Sequence, residues 1–190
     1  MRKWFAAFLA LIMLGSLAAC GKDGLDLNPD KEKDKDNDSG KEDSEFYDGY
    51  IGDKMSTYWF DFTVDGAYSC KEFEGYVPSA GNKLVVVTIS LKNTCGQSVD
   101  MWGDDFMIVW DGPEEDDCID IPLPAGVSDE QFPDEYVLGI NGRRTNIAIY
   151  EVPEEFRDFA IYFQEIMEDE NDPEGLMGDA HFVAFTPEEK

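Results

Sequence analysis

The run Asn82-Lys83-Leu84-Val85-Val86-Val87-Thr88-Ile89-Ser90-Leu91-Lys92-Asn93 constrains this chain more than any other stretch of it. Val85, Val87, Ile89 and Leu91 fall on one side, and Thr88, Ser90 and Lys92 on the other. A period of two is that of an extended strand with one buried face, whereas a helix would scatter these residues around its axis. Other segments have the same character. Tyr58 to Val64 is aromatic and β-branched and runs into Asp65-Gly66, a turn signal. Asp105 to Trp110 is closed by Asp111-Gly112-Pro113, and Ile119 to Leu123 is hemmed by Pro122 and Pro124. Tyr136 to Ile140 and Thr145 to Tyr150 flank Asn141-Gly142, a hairpin signal, and Phe182 to Phe185 closes the series. About seven or eight short strands with few helical candidates predict an all-β protein built as an antiparallel β-sandwich. Val85, Val87, Ile89, Leu91, Phe106, Ile108, Ile147 and Ile161 are expected between the two sheets. At about 1.5–3 kcal/mol per buried side chain, such a core sustains the domain without a metal.

The N-terminus places the protein. Arg2 and Lys3 precede an almost unbroken apolar run from Trp4 to Leu17, and small residues follow. That is the layout of a secretory signal, and the run is short for a membrane span. Leu17-Ala18-Ala19-Cys20 resembles the bacterial lipobox, which implies cleavage before Cys20 and a diacylglyceryl thioether on its sulfur. Each buried CH₂ adds about 0.8 kcal/mol, so two or three acyl chains hold a protein where one would not. Residues 1–19 are therefore expected to be signal peptide, and the chain to sit on the outer face of the cell membrane. From Gly21 to about Gly49 the sequence is dominated by Asp, Lys, Glu and Gly and is nearly free of apolar residues until Phe46. It cannot bury enough surface to offset its ordering entropy. Residues 20–52 are read as a disordered tether, and residues 53–190 as the folded domain.

Between these strands, Phe156, Phe159, Ala160, Phe163 and Met167 recur at helical spacing, while Phe159, Ile161 and Phe163 alternate as in a strand. Periodicity alone leans slightly to the helix. The runs VVVTISLKNTCGQSVDM, DDFMIVWDG and NGRRTNIAIYEVPEEFRDFAIYF, however, are similar to the telokin-like, immunoglobulin-like domain of bacterial secreted lipoproteins, a family of unknown function. The matching points are the Lys92-Asn93-Thr94 exit from the long strand, Phe106 before Asp111-Gly112, and Val152-Pro153 after a short strand. The resemblance spans roughly Lys54 to Pro187. It implies an immunoglobulin-like sandwich in which Arg157 to Phe163 is a strand and Pro153 to Phe156 a turn. The acidic insertion Glu165 to Gly178 and the cysteines depart from its pattern.

The chemistry available is narrow. A net charge of −27 excludes nucleic acid, whose phosphates demand a basic surface. His181 is the single histidine, so a Ser-His-Asp or Cys-His arrangement would have to use it, and a structural or surface role fits it better. No CxxC or HExxH pair and no phosphate-cradling glycine loop occurs, so neither a metal centre nor a cofactor is expected and the protein reads as a non-enzyme. Asp34, Asp36, Asp38 and Glu45 imitate calcium-loop spacing, but Ser39 stands where the turn glycine belongs. Glu114 to Asp117 and Glu165 to Asp172 are acidic runs that read as solvated loops, with calcium as the alternative. Trp59, Trp102 and Trp110 could form a platform for a sugar ring, and Trp102 is the candidate for exposure.

Strand directions bear on the cysteines. If the long strand descends from Asn82 to Asn93, Cys70 and Cys118 both fall at its upper end and Cys95 at its lower end. Any disulfide would then be Cys70–Cys118, closing a loop of about 50 residues worth roughly 4 kcal/mol. Three reduced thiols are the alternative. The functional expectation is a lipid-anchored extracytoplasmic binding module for another envelope protein, or else a small-ligand module for cell-wall glycan or calcium.

Overall fold

The computed structural model describes residues 44–112, 117–169 and 172–190. These form twelve strands and no helix: β1 (Phe46–Tyr50), β2 (Lys54–Ser56), β3 (Phe60–Cys70), β4 (Asn82–Asn93), β5 (Val99–Trp102), β6 (Met107–Asp111), β7 (Asp117–Asp120), β8 (Glu135–Leu138), β9 (Arg143–Pro153), β10 (Phe159–Asp169), β11 (Asp172–Phe185) and β12 (Glu188–Glu189). One sheet has the order β1-β11-β10-β6-β7, the other β12-β3-β4-β9 with β2 added on β3, and β5 pairs β8 in a ribbon of two. The fold is the expected all-β sandwich, mostly antiparallel, with β1 on β11 and β12 on β3 as parallel exceptions.

The long alternating strand, β4, lies central in its sheet, between β3 and β9. Its Val85, Val87, Ile89 and Leu91 enter the core together with Phe106, Ile108 and Ile161. Ile147 is a correction: it belongs with Leu84, Val86 and Ile149 to a second cluster, packed under Tyr68, Phe73, Tyr76, Leu123 and Val127. Loops cover this outer face of the sheet, which explains why Leu84 to Val87 are buried without a break. Asn93 is fully buried where β4 ends. Its amide donates to Gln97 O and Leu138 O (both 2.8 Å), and its side-chain oxygen accepts from Cys95 N at 2.9 Å. Only a short amide side chain offers both donors and an acceptor there, which gives the Lys92-Asn93-Thr94 exit a physical reason.

Four expectations are corrected. Asp65-Gly66 is no turn: β3 runs through it to Cys70 with a bulge between Val64 and Gly66. The bulge divides the outer edge of β3, which pairs β2 at Asp61–Thr63 and β12 at Tyr68–Ser69. Asn141-Gly142 turns tightly, with Asn141 at φ 56°, yet the strands it joins do not pair; β8 goes to β5 and β9 to β4. The acidic run Glu165 to Asp172 is read as a loop, but its described residues belong to β10 and β11, which pair from Phe159–Phe185 to Asp169–Asp172. The fourth concerns where folding begins: Phe46 to Tyr50, assigned to the tether, is strand β1. Residues 20–43, including the calcium-like Asp34, Asp36 and Asp38, lie outside the described residues. The strand expected over Arg157 to Phe163 forms from Phe159 onward, and its partners explain it: cross-strand neighbours on β6 and β11 outweigh local helical spacing.

Candidate functional site

Strand β1 is short, parallel and last in its sheet. Its residues alternate in use. Tyr47 stacks on His181 with centroids 5.2 Å apart, and Gly49 is buried over β2, where a Cβ would stand 2.8 Å from Met55 Sδ. Phe46 instead stacks on Phe182 at 6.4 Å, and Phe182 on Tyr162 at 4.9 Å. The result is an aromatic row across β1, β11 and β10, ending in a Phe46 that is 66% exposed, with Tyr50 70% exposed further along β1. These rings spend their faces on one another, so the row offers a partner ring edges and the outer face of Phe46.

On the inner side, His181 is almost wholly buried, enclosed by Tyr47, the edge of Phe62 and Phe163. Its Nε2 lies 3.3 Å from Oε1 of Glu165, itself buried, and that oxygen also accepts Tyr58 N at 2.8 Å. The other ring nitrogen, Nδ1, has no partner among the described residues. Gly178 makes room for this pair, since a Cβ there would sit 2.9 Å from both Glu165 Cβ and Oε2. Tyr47 OH donates to Glu45 Oε2 at 2.6 Å, and that bond raises the phenol pKa to about 12.

A groove of about 410 Å³ opens beside this corner, lined by Tyr47, Asp48, Asp53, Lys54, Met55, Ser56 and His181. It runs between β1, at the end of one sheet, and β2, at the border of the other. Ala180 N donates to Glu45 O, and the register pairs Phe46 with Ala180. In a parallel ladder of this register the backbone groups of Glu45, Tyr47 and Gly49 face β11, while those of Phe46, Asp48 and Tyr50 face away. The turn after β1 satisfies Tyr50: its N–H donates to Asp53 Oδ2 at 2.8 Å, and its carbonyl accepts Asp53 N at 2.9 Å. The amides and carbonyls of Phe46 and Asp48 have no strand beside them among the described residues. Lys54, the basic residue of the lining, is bonded to Asp61 at 3.1 Å.

The residues singled out from sequence fall elsewhere. Trp102 ends β5 and is 48% exposed, as expected of a contact residue, and its N–H donates to Asp105 Oδ2 at 2.8 Å. The structure does not join it to the other tryptophans. Trp59 packs near the lower end of β4, beside Tyr58, whereas Trp110 packs on Phe156 and Phe159 at the upper end. The proposed Cys70–Cys118 bridge is not formed; Cys70, Cys95 and Cys118 are free thiols. Strand directions had both residues at one end, but Cys70 packs into the outer cluster of one sheet while Cys118 lies on β7, the border strand of the other. Cys20 and the acidic residues 114–116 lie outside the described residues. Among the described residues no group of three His, Cys, Asp or Glu side chains is placed to hold a metal ion.

No family model and no curated protein matches the sequence. Two solved structures resemble the fold. One is a candidate lipoprotein, ycdA, from Bacillus subtilis, with a TM-score of 0.50 and 11% identity over 70% of this chain. The chain spans 38% of that protein's length. The other is an uncharacterized β-sandwich protein from Clostridium difficile, also at a TM-score of 0.50 and 11% identity, covering 78% of this chain and 100% of that one.

Proposed function

We propose that this protein is a lipid-anchored lipoprotein of the outer face of the bacterial cell membrane, a non-enzymatic module that binds another envelope protein along the open edge of β1. The observation that carries the binding role is that edge: among the described residues no strand pairs with the backbone groups of Phe46 and Asp48, and an exposed aromatic residue stands at each end of the strand. Open edges are templates for another chain and are normally blunted by charge, proline or a covering loop. Here a single acid, Asp48, interrupts Phe46 and Tyr50. The signal layout ending at Cys20 supports the anchor, and the immunoglobulin-like lipoprotein motifs around Lys92-Asn93-Thr94 and Val152-Pro153 agree with it. A glycan platform is less well served, because Trp102 stands apart from Trp59 and Trp110 and offers a sugar one ring, not a row.

Site-specific photo-crosslinking in cells tests the binding role. A photoreactive phenylalanine at Tyr50 should yield a discrete adduct in the envelope fraction, absent from the same probe at Val137, which is 60% exposed on β8. Asp48→Pro removes an N–H that faces the open side, and should abolish the adduct while leaving the β1–β11 ladder intact. Equal labelling from Val137, or an adduct of twice the chain's own mass, refutes the proposal.

A further inference from the structure

Resting on that edge reading, we infer that the occupant of the groove between β1 and β2 is an extended, cationic polypeptide segment that adds as a strand to β1. Three observations set its chemistry. The first is hydrogen bonding: the amides and carbonyls of Phe46 and Asp48 face the groove, and a strand laid along them satisfies both pairs, whereas a compact ligand reaches one. The second is the alternation of surfaces. A guest side chain turned inward meets Tyr47 and Ser56, and the next, turned outward, lies beside Phe46 or Tyr50.

The third is charge. Asp48 and Asp53 line the groove, Glu45 accepts from the hydroxyl of Tyr47 in the lining and donates its N–H to Asp179 Oδ1 at 3.0 Å, and the ammonium of Lys54 is engaged by Asp61. The chain as a whole carries −27. A second copy bringing its own β1 would set Asp48 and Glu45 against their like, so self-pairing is opposed and a Lys- or Arg-bearing strand is favoured.

The test uses the full chain in mild detergent and fluorescein-labelled ten-residue peptides followed by anisotropy. A peptide alternating lysine and valine should bind, and its affinity should fall steeply with salt as the charges are screened beyond about 10 Å at 0.1 M. N-methylation of every second amide, which removes the donors on one peptide edge, should weaken it about tenfold or more. Asp48→Pro and Asp48→Lys should each weaken it comparably, with circular dichroism reporting whether the sandwich is retained. If an uncharged control peptide alternating threonine and valine binds as tightly and responds to Asp48→Pro, the edge stands and the cationic specificity is overturned. If the lysine peptide ignores both N-methylation and Asp48→Pro, its binding is diffuse electrostatics, and strand addition is overturned. If no peptide binds while the cellular crosslink at Tyr50 persists, the inference fails and the edge reading survives.

Discussion

Replacing Asp105 by asparagine should stabilise the protein at neutral pH and alter how its stability depends on pH. Asp105 sits beneath the β5–β8 ribbon, accepting Trp102 N at 2.8 Å, with Asp104 beside it. Burial, in the first place, raises its carboxyl from 3.8 to about 6, and Asp104 adds to this while the Trp102 bond opposes it. Between these values the folded protein holds a proton that the unfolded chain has released, so stability falls as pH rises through that window. A carboxyl moved this far carries at most about 3 kcal/mol, at ~1.36 kcal/mol for each tenfold change. Asp105 keeps some contact with solvent, which reduces the effect to about 1–2 kcal/mol. Asparagine keeps an oxygen for Trp102 N and discards the charge. Urea titrations at pH 4 and pH 7 check the prediction: the two proteins should agree near pH 4, and at pH 7 the variant's midpoint should lie about 0.5–1 M higher, given a slope of ~1–3 kcal/mol/M. The background change from the other carboxylates is common to both and cancels. A variant that is less stable at pH 7, or that keeps the same difference at both pH values, refutes the argument.

Glu151 should behave in the opposite sense. Bonds from Asn82, Ser79 and Tyr76 hold its carboxyl down at about 2, so the stability it confers is present above its ordinary value near 4.5 and is lost as pH falls toward 2; Glu151→Gln should flatten that acid limb in the same titration. Tyr150→Phe removes the hydroxyl that donates to Phe106 O at 2.8 Å inside the core and should cost about 1–3 kcal/mol, read as a lower urea midpoint at unchanged slope. Gly178→Ala forces a methyl against Glu165 and should cost about 1–3 kcal/mol, with Gly178→Ser no better; a neutral result would show that the Glu165–His181 pair can shift freely. Cys20→Ser should move the protein from the membrane fraction to the medium and abolish incorporation of labelled fatty acid; retention on the membrane would refute the anchor.

Local pattern was enough to place β4, because one face of that strand is uniformly apolar and its neighbours lie on both sides. It was not enough for β1. Phe46-Tyr47-Asp48-Gly49-Tyr50 follows a long acidic stretch, and its partner, Ala180 to Ala184, lies more than a hundred residues away, so nothing nearby distinguishes it from tether. Asp65-Gly66 and Asn141-Gly142 show a related limit. Both pairs bend the backbone as their chemistry requires, but whether a bend becomes a bulge or a passage between sheets depends on neighbours that a turn signal does not name. The groove was legible only in fragments. Sequence alone leaves His181 between a structural and a surface role and puts Glu165 in a run of loop acids. Yet the alternation that puts Phe163 and Glu165 on one face of β10, and His181 and Val183 on one face of β11, is present in the sequence once both are read as strands.

The pairings of the two outermost segments also set the order in which the fold can be completed. β1, the first described strand, has β11 as its ladder partner, and β12, the last, closes on β3. A chain synthesised from its N-terminus therefore delivers β1 long before the strand that receives it, and the two sheets are not complete until β11 and β12 have been made. Contacts so distant in sequence make for slow folding, in the milliseconds-to-seconds range of all-β domains. During that interval β1 waits with both edges bare, so a stop codon placed before β11 would strand the beginning of the domain as well as its end.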